Sequence, residues 1–373
     1  MSVQTSEAPD AAGPAGPAPP GVSVHRWTAA SQAFTAGTAL LLVLLAFVPF
    51  LFTQNVTEKL TELFVLVIIA AMWNALAGYA GLVSVGQQAF IGIGAYATIV
   101  FAERGVNPFV AAVLAAFVAG ALSLPVSLLV FRLRGGQFAI GMWVVAEVFR
   151  LLVTNDQSIG GGTGRSLTGL NVYDPATRQA YTYWVALAFM GIVLIAAFVL
   201  LRSRLGSSLQ AIRDDEHAAV SVGVRVTRAK RVVFLLAAVG CGAAGAVTIL
   251  NTLRVQPDSI FGIQWTAYMI FMVLLGGLGT FEGPVLGALV LFGVQQQFAN
   301  EGSWYLVGLG AVAIVVTLLF PRGLWGALVD RFELRLLPVG YHVRQLAQSL
   351  GPRRGAGGGT GPEPGSAVSP ERT

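Results

Sequence analysis

Long apolar runs limit what this chain can fold into more than any other feature. About ten stretches of near span length hold almost no charge and are separated by turn residues or charged clusters: 33–53, 62–80, 86–103, 108–131, 137–153, 182–201, 232–253, 264–279, 284–299 and 304–320. A bilayer's hydrocarbon core, about 30 Å thick, is crossed by about 20 helical residues. No water reaches the backbone there, so a spanning run must be helical or sheltered within protein. Charged residues make up only 11% of the chain, against roughly 25% in a soluble domain. The expectation is an all-α polytopic membrane protein with about ten transmembrane or re-entrant helices. The runs 86–103 and 284–299 are short and glycine-rich, so each is expected to be broken or re-entrant.

Charge placement then orients the chain. Residues 1–24 and 346–373 are rich in Pro, Gly and Ala and read as disordered tails around a transmembrane domain at 25–345. With both termini in the cytoplasm, the inner segments carry Arg26, Arg132, Arg134, Arg202, Arg204, Arg213, Arg225, Arg228, Lys230, Arg231 and Arg322. The outer ones carry only Lys59, Arg104, Arg165, Arg178 and Arg254. That asymmetry favours a cytoplasmic-membrane protein with both ends inside. The net charge of +5 belongs to this topology, since no aromatic-interleaved basic patch points to nucleic acid. Cys241 has no partner, and His25, His217 and His342 are too scattered for a metal site.

The longest inner loop, 202–231, is the one strongly charged and patterned passage. Ser207 or Ser208 can cap a helix, Leu209, Ile212 and Ala219 recur at near-helical spacing, and Gly223 offers a stop. Arg213, Asp214, Asp215 and Glu216 then occupy the exposed face. Two readings stand: a short amphipathic helix that docks into a groove on a soluble partner, or a solvated loop whose arginines enforce orientation.

The string AIRDDEHAAVSVGVRVTRAKRVVF resembles the cytoplasmic loop of permeases for branched-chain amino acids, a family of ABC importer subunits. In the broader importer pattern E-A-A-x-x-x-G, the glutamate position here is His217, followed by Ala218, Ala219 and Gly223. GYAGLVSVGQQAFIGIGAYA (78–97), RGGQFAIGMWVVAEVFRLL (134–152) and LLGGLGTFEGPVLGALVL (274–291) are similar to further stretches of that family. The resemblance implies an ABC importer permease fold of the M type that moves branched-chain or related amino acids. It implies that Ile212 to Ala219 and Gly223 form a coupling helix seated on an ATPase. It further implies a second permease subunit, two ATPase subunits that hold ATP and Mg, and an external substrate-binding protein. This chain itself would bind no cofactor. Permeases for urea or short amides look similar, and an ion-coupled secondary transporter is the competing class.

Polar residues inside the spans are costly and therefore informative. Glu147 and Arg150 stand three apart and can pair on one helix face, either as a point on the translocation path or as a staple between helices. Asn74, Gln87 and Gln88 are neutral candidates for the path or for interhelical hydrogen bonds. Gly92, Gly94, Gly279, Gly283 and Gly287 read as packing positions that let helices approach closely. The outer loop 154–181 contains GGGTGRS but lacks the spacing and lysine of a phosphate loop. The resemblance makes it a contact for the external receptor, and a flexible surface loop is the plain alternative. No catalytic motif occurs, so an intramembrane enzyme is not expected.

Overall fold

The computed structural model describes residues 29–298 and 323–332, with isolated positions between 307 and 318. Both expected tails and most of the run 304–320 lie outside the described residues. The helices in chain order are α1 Ala29–Ala46, α2 Val48–Leu51, α3 Gln54–Asn74 with a π-helical continuation Ala75–Tyr79, α4 Gln88–Glu103 and α5 Pro108–Val130. There follow α6 Gly136–Asn155, α7 Pro175–Arg202, α8 Arg204–Asp214, α9 Glu216–Ser221 and α10 Val226–Thr252. The series continues with α11 Pro257–Ile260, α12 Gln264–Gly276, α13 Gly283–Phe298 and α14 Gly323–Phe332. Strands β1 (Arg165–Ser166) and β2 (Arg254–Val255) form one antiparallel ribbon. The chain is thus an all-α multi-pass protein, and among its described residues six segments are long and apolar enough to cross a membrane.

Helix α3 sits at the centre because its sequence is apolar on every side: Leu63 to Tyr79 are all buried. It packs against α7, α10, α12 and α13, while α10 also touches α4 and α5. The α4–α10 contact is made by backbone. A Cβ on Gly94 would stand 2.0 Å from the Gly242 carbonyl oxygen, and one on Gly245 would stand 1.8 Å from that of Ile91. Lipid supplies no hydrophobic drive between helices, so close van der Waals contact must hold them. The other expected packing glycines serve similar ends. Gly92 faces the Phe261 ring, Gly287 faces the Met272 carbonyl, and Gly283 closes on Gly276. Gly279 instead sits in a turn, at φ 77°.

One expected span changes form. The run 33–53 is not one helix, because Pro49 lacks the N–H that would bond the Leu45 carbonyl. Tyr183 donates its hydroxyl proton to Leu45 O at 2.8 Å, and Trp184 Nε1 donates to Ala46 O at 3.0 Å. These bonds from α7 replace the lost helical ones. The segment 81–103, which holds the run 86–103, is broken as expected, with Gly81 against Arg213 at one end and Glu103 paired with Arg165 at the other. Its first part, residues 81–87, is non-helical, and α4 supplies the rest. We call the end bearing α8 and α9 the loop end, and the opposite one the ribbon end.

Gly94→Ala is expected to lower stability by about 1–3 kcal/mol through overpacking, read as a drop in the thermal midpoint of purified protein. Gly191→Ala, where a Cβ meets open space, leaves that midpoint unchanged or slightly raised. Tyr183→Phe strands the Leu45 carbonyl and costs about 1–2 kcal/mol by the same measurement.

Candidate functional site

At the loop end the chain leaves α7 and turns at once. Ser203, rather than Ser207 or Ser208, caps the first helix, its Oγ accepting from Leu205 N at 3.1 Å. The expected single helix is two. Asp215 takes an extended backbone (φ −156°, ψ 112°) that ends α8, and its carboxylate caps α9 by accepting from His217 N at 2.8 Å and Ala218 N at 3.0 Å. Leu209, Ile212 and Ala219 are buried, as their spacing predicts. Gly223 (φ 84°) follows α9 in the left-handed region that a stop requires.

Each acidic residue in this loop has a partner within it. Asp214 pairs with Arg213 at 2.8 Å, Glu216 pairs with Lys230 at 2.7 Å, and Asp215 is the cap. The surface left open is mixed: Val220 at 57% and Val222 at 78% stand out beside exposed His217, Ala218, Ser221, Arg225 and Arg228. The two amides hold the Asp215 carboxyl below the usual carboxylate range. A depressed folded pKa stabilises above the unfolded value, about 3.9, and that support is lost as pH falls through the folded one. Trypsin cleavage at Arg213 and Arg225, scaled at each pH to an unstructured peptide, should therefore be constant from about pH 8 to 5, whereas Asp215→Ala, unlike Asp215→Asn, speeds it at neutral pH.

In the bundle each neutral candidate makes at least one hydrogen bond to the protein. Asn74, 3% exposed, spends both ends of its amide on the α12–α13 turn: Nδ2 donates to Thr280 O at 2.7 Å and Oδ1 accepts from Gly279 N at 2.9 Å. Gln87 and Gln88 line the break before α4. Gln87 Nε2 donates to Ser84 Oγ at 3.3 Å, Gln88 Nε2 donates to Val85 O at 3.2 Å, and Thr266 donates to Gln88 Oε1. Gln87 Oε1 is buried without a hydrogen-bond partner among the described residues.

At the ribbon end, Arg150 Nε donates to both Glu147 oxygens at 3.0–3.1 Å, as the spacing predicts. Its Nη1 also reaches Asp258 Oδ1 at 2.5 Å, tying α6 to α11. Only Phe138, Met142 and Ala146 of α6 are buried. Ile140, Trp143, Val144, Val148, Leu151 and Leu152 stand exposed beside Glu147, which is itself 46% exposed. The loop 154–181 is built rather than slack. Arg165 pairs with Glu103 at 2.7 Å, β1 pairs with β2, and Arg254 Nη2 donates to Thr163 O at 3.2 Å. Beside the ribbon opens a cavity of about 490 Å³ lined by Glu62, Asn251, Arg254, Gln256, Trp265 and Tyr268, among others. None of the five expected path residues lines it. The paired polar residues Thr61–Glu62 and Asn251–Thr252 near span ends were its signal in the sequence.

Residues 55–320 match the family described as "Branched-chain amino acid transport system / permease component". The chain belongs to that family. It is 28% identical over 313 residues to the high-affinity branched-chain amino acid transport system permease protein LivM of Salmonella typhimurium, covering 77% of this chain and 73% of the relative. The Escherichia coli protein of that name is 27% identical, covering 76% and 73%. The ribose import permease protein RbsC of Escherichia coli is 30% identical over a shorter stretch, 35% of this chain and 43% of the relative. No solved structure gives a significant match.

Proposed function

We propose that this permease component works in an ATP-driven importer of branched-chain or related amino acids. The α8–α9 hairpin carries the reading. It is a rigid, capped pair of helices joined to two apolar helices, and it presents an uncovered apolar tip, Val220 and Val222. Such a tip suits a groove on a soluble protein, and the relatives' descriptions favour an ATPase subunit as that protein. ATP and Mg would sit in the ATPases, of which two would serve the transporter, and none in this chain. Arg132, Arg134, Arg202, Arg204, Arg225 and Arg228 gather toward the loop end, which supports a cytoplasmic location for it in the inner membrane and both termini on that side. The uncovered apolar face of α6, with its carboxylate, suits a second permease subunit across a shared path. The ribbon and its cavity suit an external binding protein that hands over cargo.

The test is uptake of labelled L-leucine into proteoliposomes holding the assembled transporter. Uptake is expected to need ATP and the binding protein. Val220→Asp with Val222→Asp should cut ATPase co-purification about tenfold through burial of two charges at the tip, while the permease stays folded. Leucine uptake by this chain alone would overturn the reading in favour of a carrier. ATP-driven uptake of ribose or urea in place of leucine would overturn the cargo assignment and leave the importer standing.

A further inference from the structure

The arginine in the middle of the hairpin turns away from the tip. Arg213 Nη1 donates to the Gly78 carbonyl at 2.8 Å, inside the π-helical continuation of α3. The other edge of its guanidinium is gripped by Asp214, with Nε and Nη2 at 3.0 and 2.8 Å from Oδ1. Two glycines make room. A Cβ on Gly81 would stand 3.3 Å from Arg213 Cα, and one on Gly279 would stand 3.4 Å from Nη1. Asn74 locks the Gly279–Thr280 backbone from the other side. Three pieces therefore converge on one side chain: α8, the end of α3, and the α12–α13 turn.

We infer that Arg213 is a positioning residue that links the α8–α9 hairpin to the helices of the path through the broken segment 78–87. A cation at a helix C-terminus satisfies a carbonyl left without its i+4 donor and complements the helix dipole. Charge assistance makes that bond stronger than a neutral one, and a π-helical turn is weaker than the α-helix it interrupts. The segment beyond it is stiff. Leu82 N donates to Leu76 O at 3.0 Å, and Trp73 Nε1 donates to Ser84 O at 2.8 Å. Its far end rests on α6, where a Cβ on Gly86 would stand 1.9 Å from the Met142 carbonyl oxygen. A shift of α8 thus passes by direct contact to α6, the thinly covered helix that bears Glu147. The inference rests on the proposed importer reading for its motor, and on the geometry above for the link itself.

Two measurements test it. In the full-length chain held in lipid nanodiscs, Arg213→Gln should speed amide exchange at residues 76–87, whereas Asp215→Ala speeds it only in α9. In the reconstituted transporter, Arg213→Gln should lower leucine uptake per ATP hydrolysed by about tenfold, at the upper range for residues that carry coupling. Arg213→Lys, which keeps one charged donor, should restore most of that ratio. If Arg213→Gln does not fold, Asp214→Ala frees the guanidinium at an exposed position and should lower the ratio about threefold. Unchanged exchange at 76–87 overturns the link, and an uptake-to-ATP ratio within about twofold of wild type overturns its role in coupling. Wild-type uptake without ATP overturns the importer reading instead, and the exchange arm still decides the link.

Discussion

The demand that every backbone polar group find a partner away from water shapes this molecule. An unpartnered N–H or C=O in hydrocarbon costs several kcal/mol, so each interruption of a helix must come with a donor or acceptor from elsewhere. At Pro49 the partners are Tyr183 and Trp184 of α7. At the break between α3 and α4 they are Trp73, Ser84, Gln88 and Arg213. Trp73, Ser84, Gln88, Tyr183, Trp184 and Arg213 are thereby explained as repairs to the backbone. Their position follows from where the helices fail.

The same demand explains the distribution of small residues. With lipid as apolar as leucine, helices gain by approaching until backbone meets backbone. In α4 and α10, Gly94 and Gly245 sit where any side chain would collide with a carbonyl. Helix α6 has the opposite character. It keeps only a narrow stripe, Phe138, Met142 and Ala146, against its neighbours and leaves the rest of its apolar surface open. A tightly wedged core around α3 and α10 and a loosely held flank therefore coexist in one chain.

Much of this was legible from residues alone, and the misses share a cause. Apolar run length and charge separation mark the spans because lipid acts on composition. Leu209, Ile212 and Ala219 announced the buried stripe of the loop because helical periodicity is local. Pro49 also carried a readable signal, the missing donor that splits the run 33–53. What sequence could not show was pairing at a distance. Asp258 meets Arg150 across 108 positions and Gly78 meets Arg213 across 135. Arg213 reads as a surface charge until the fold brings the end of α3 beneath it. The cavity escaped for the same reason, since its lining is drawn from α3, α10, α12 and α13.

The two-residue ribbon is small, yet it splices the connector after α6 to the connector after α10. Leu167 N donates to Leu253 O at 2.8 Å, and Gly164 is pressed against Val255 and Gln256. The Arg165–Glu103 pair fastens the splice to the top of α4. A push on this rim is therefore not absorbed by slack in one tether. It arrives together at three of the bundle's helices, and the rim acts as a yoke.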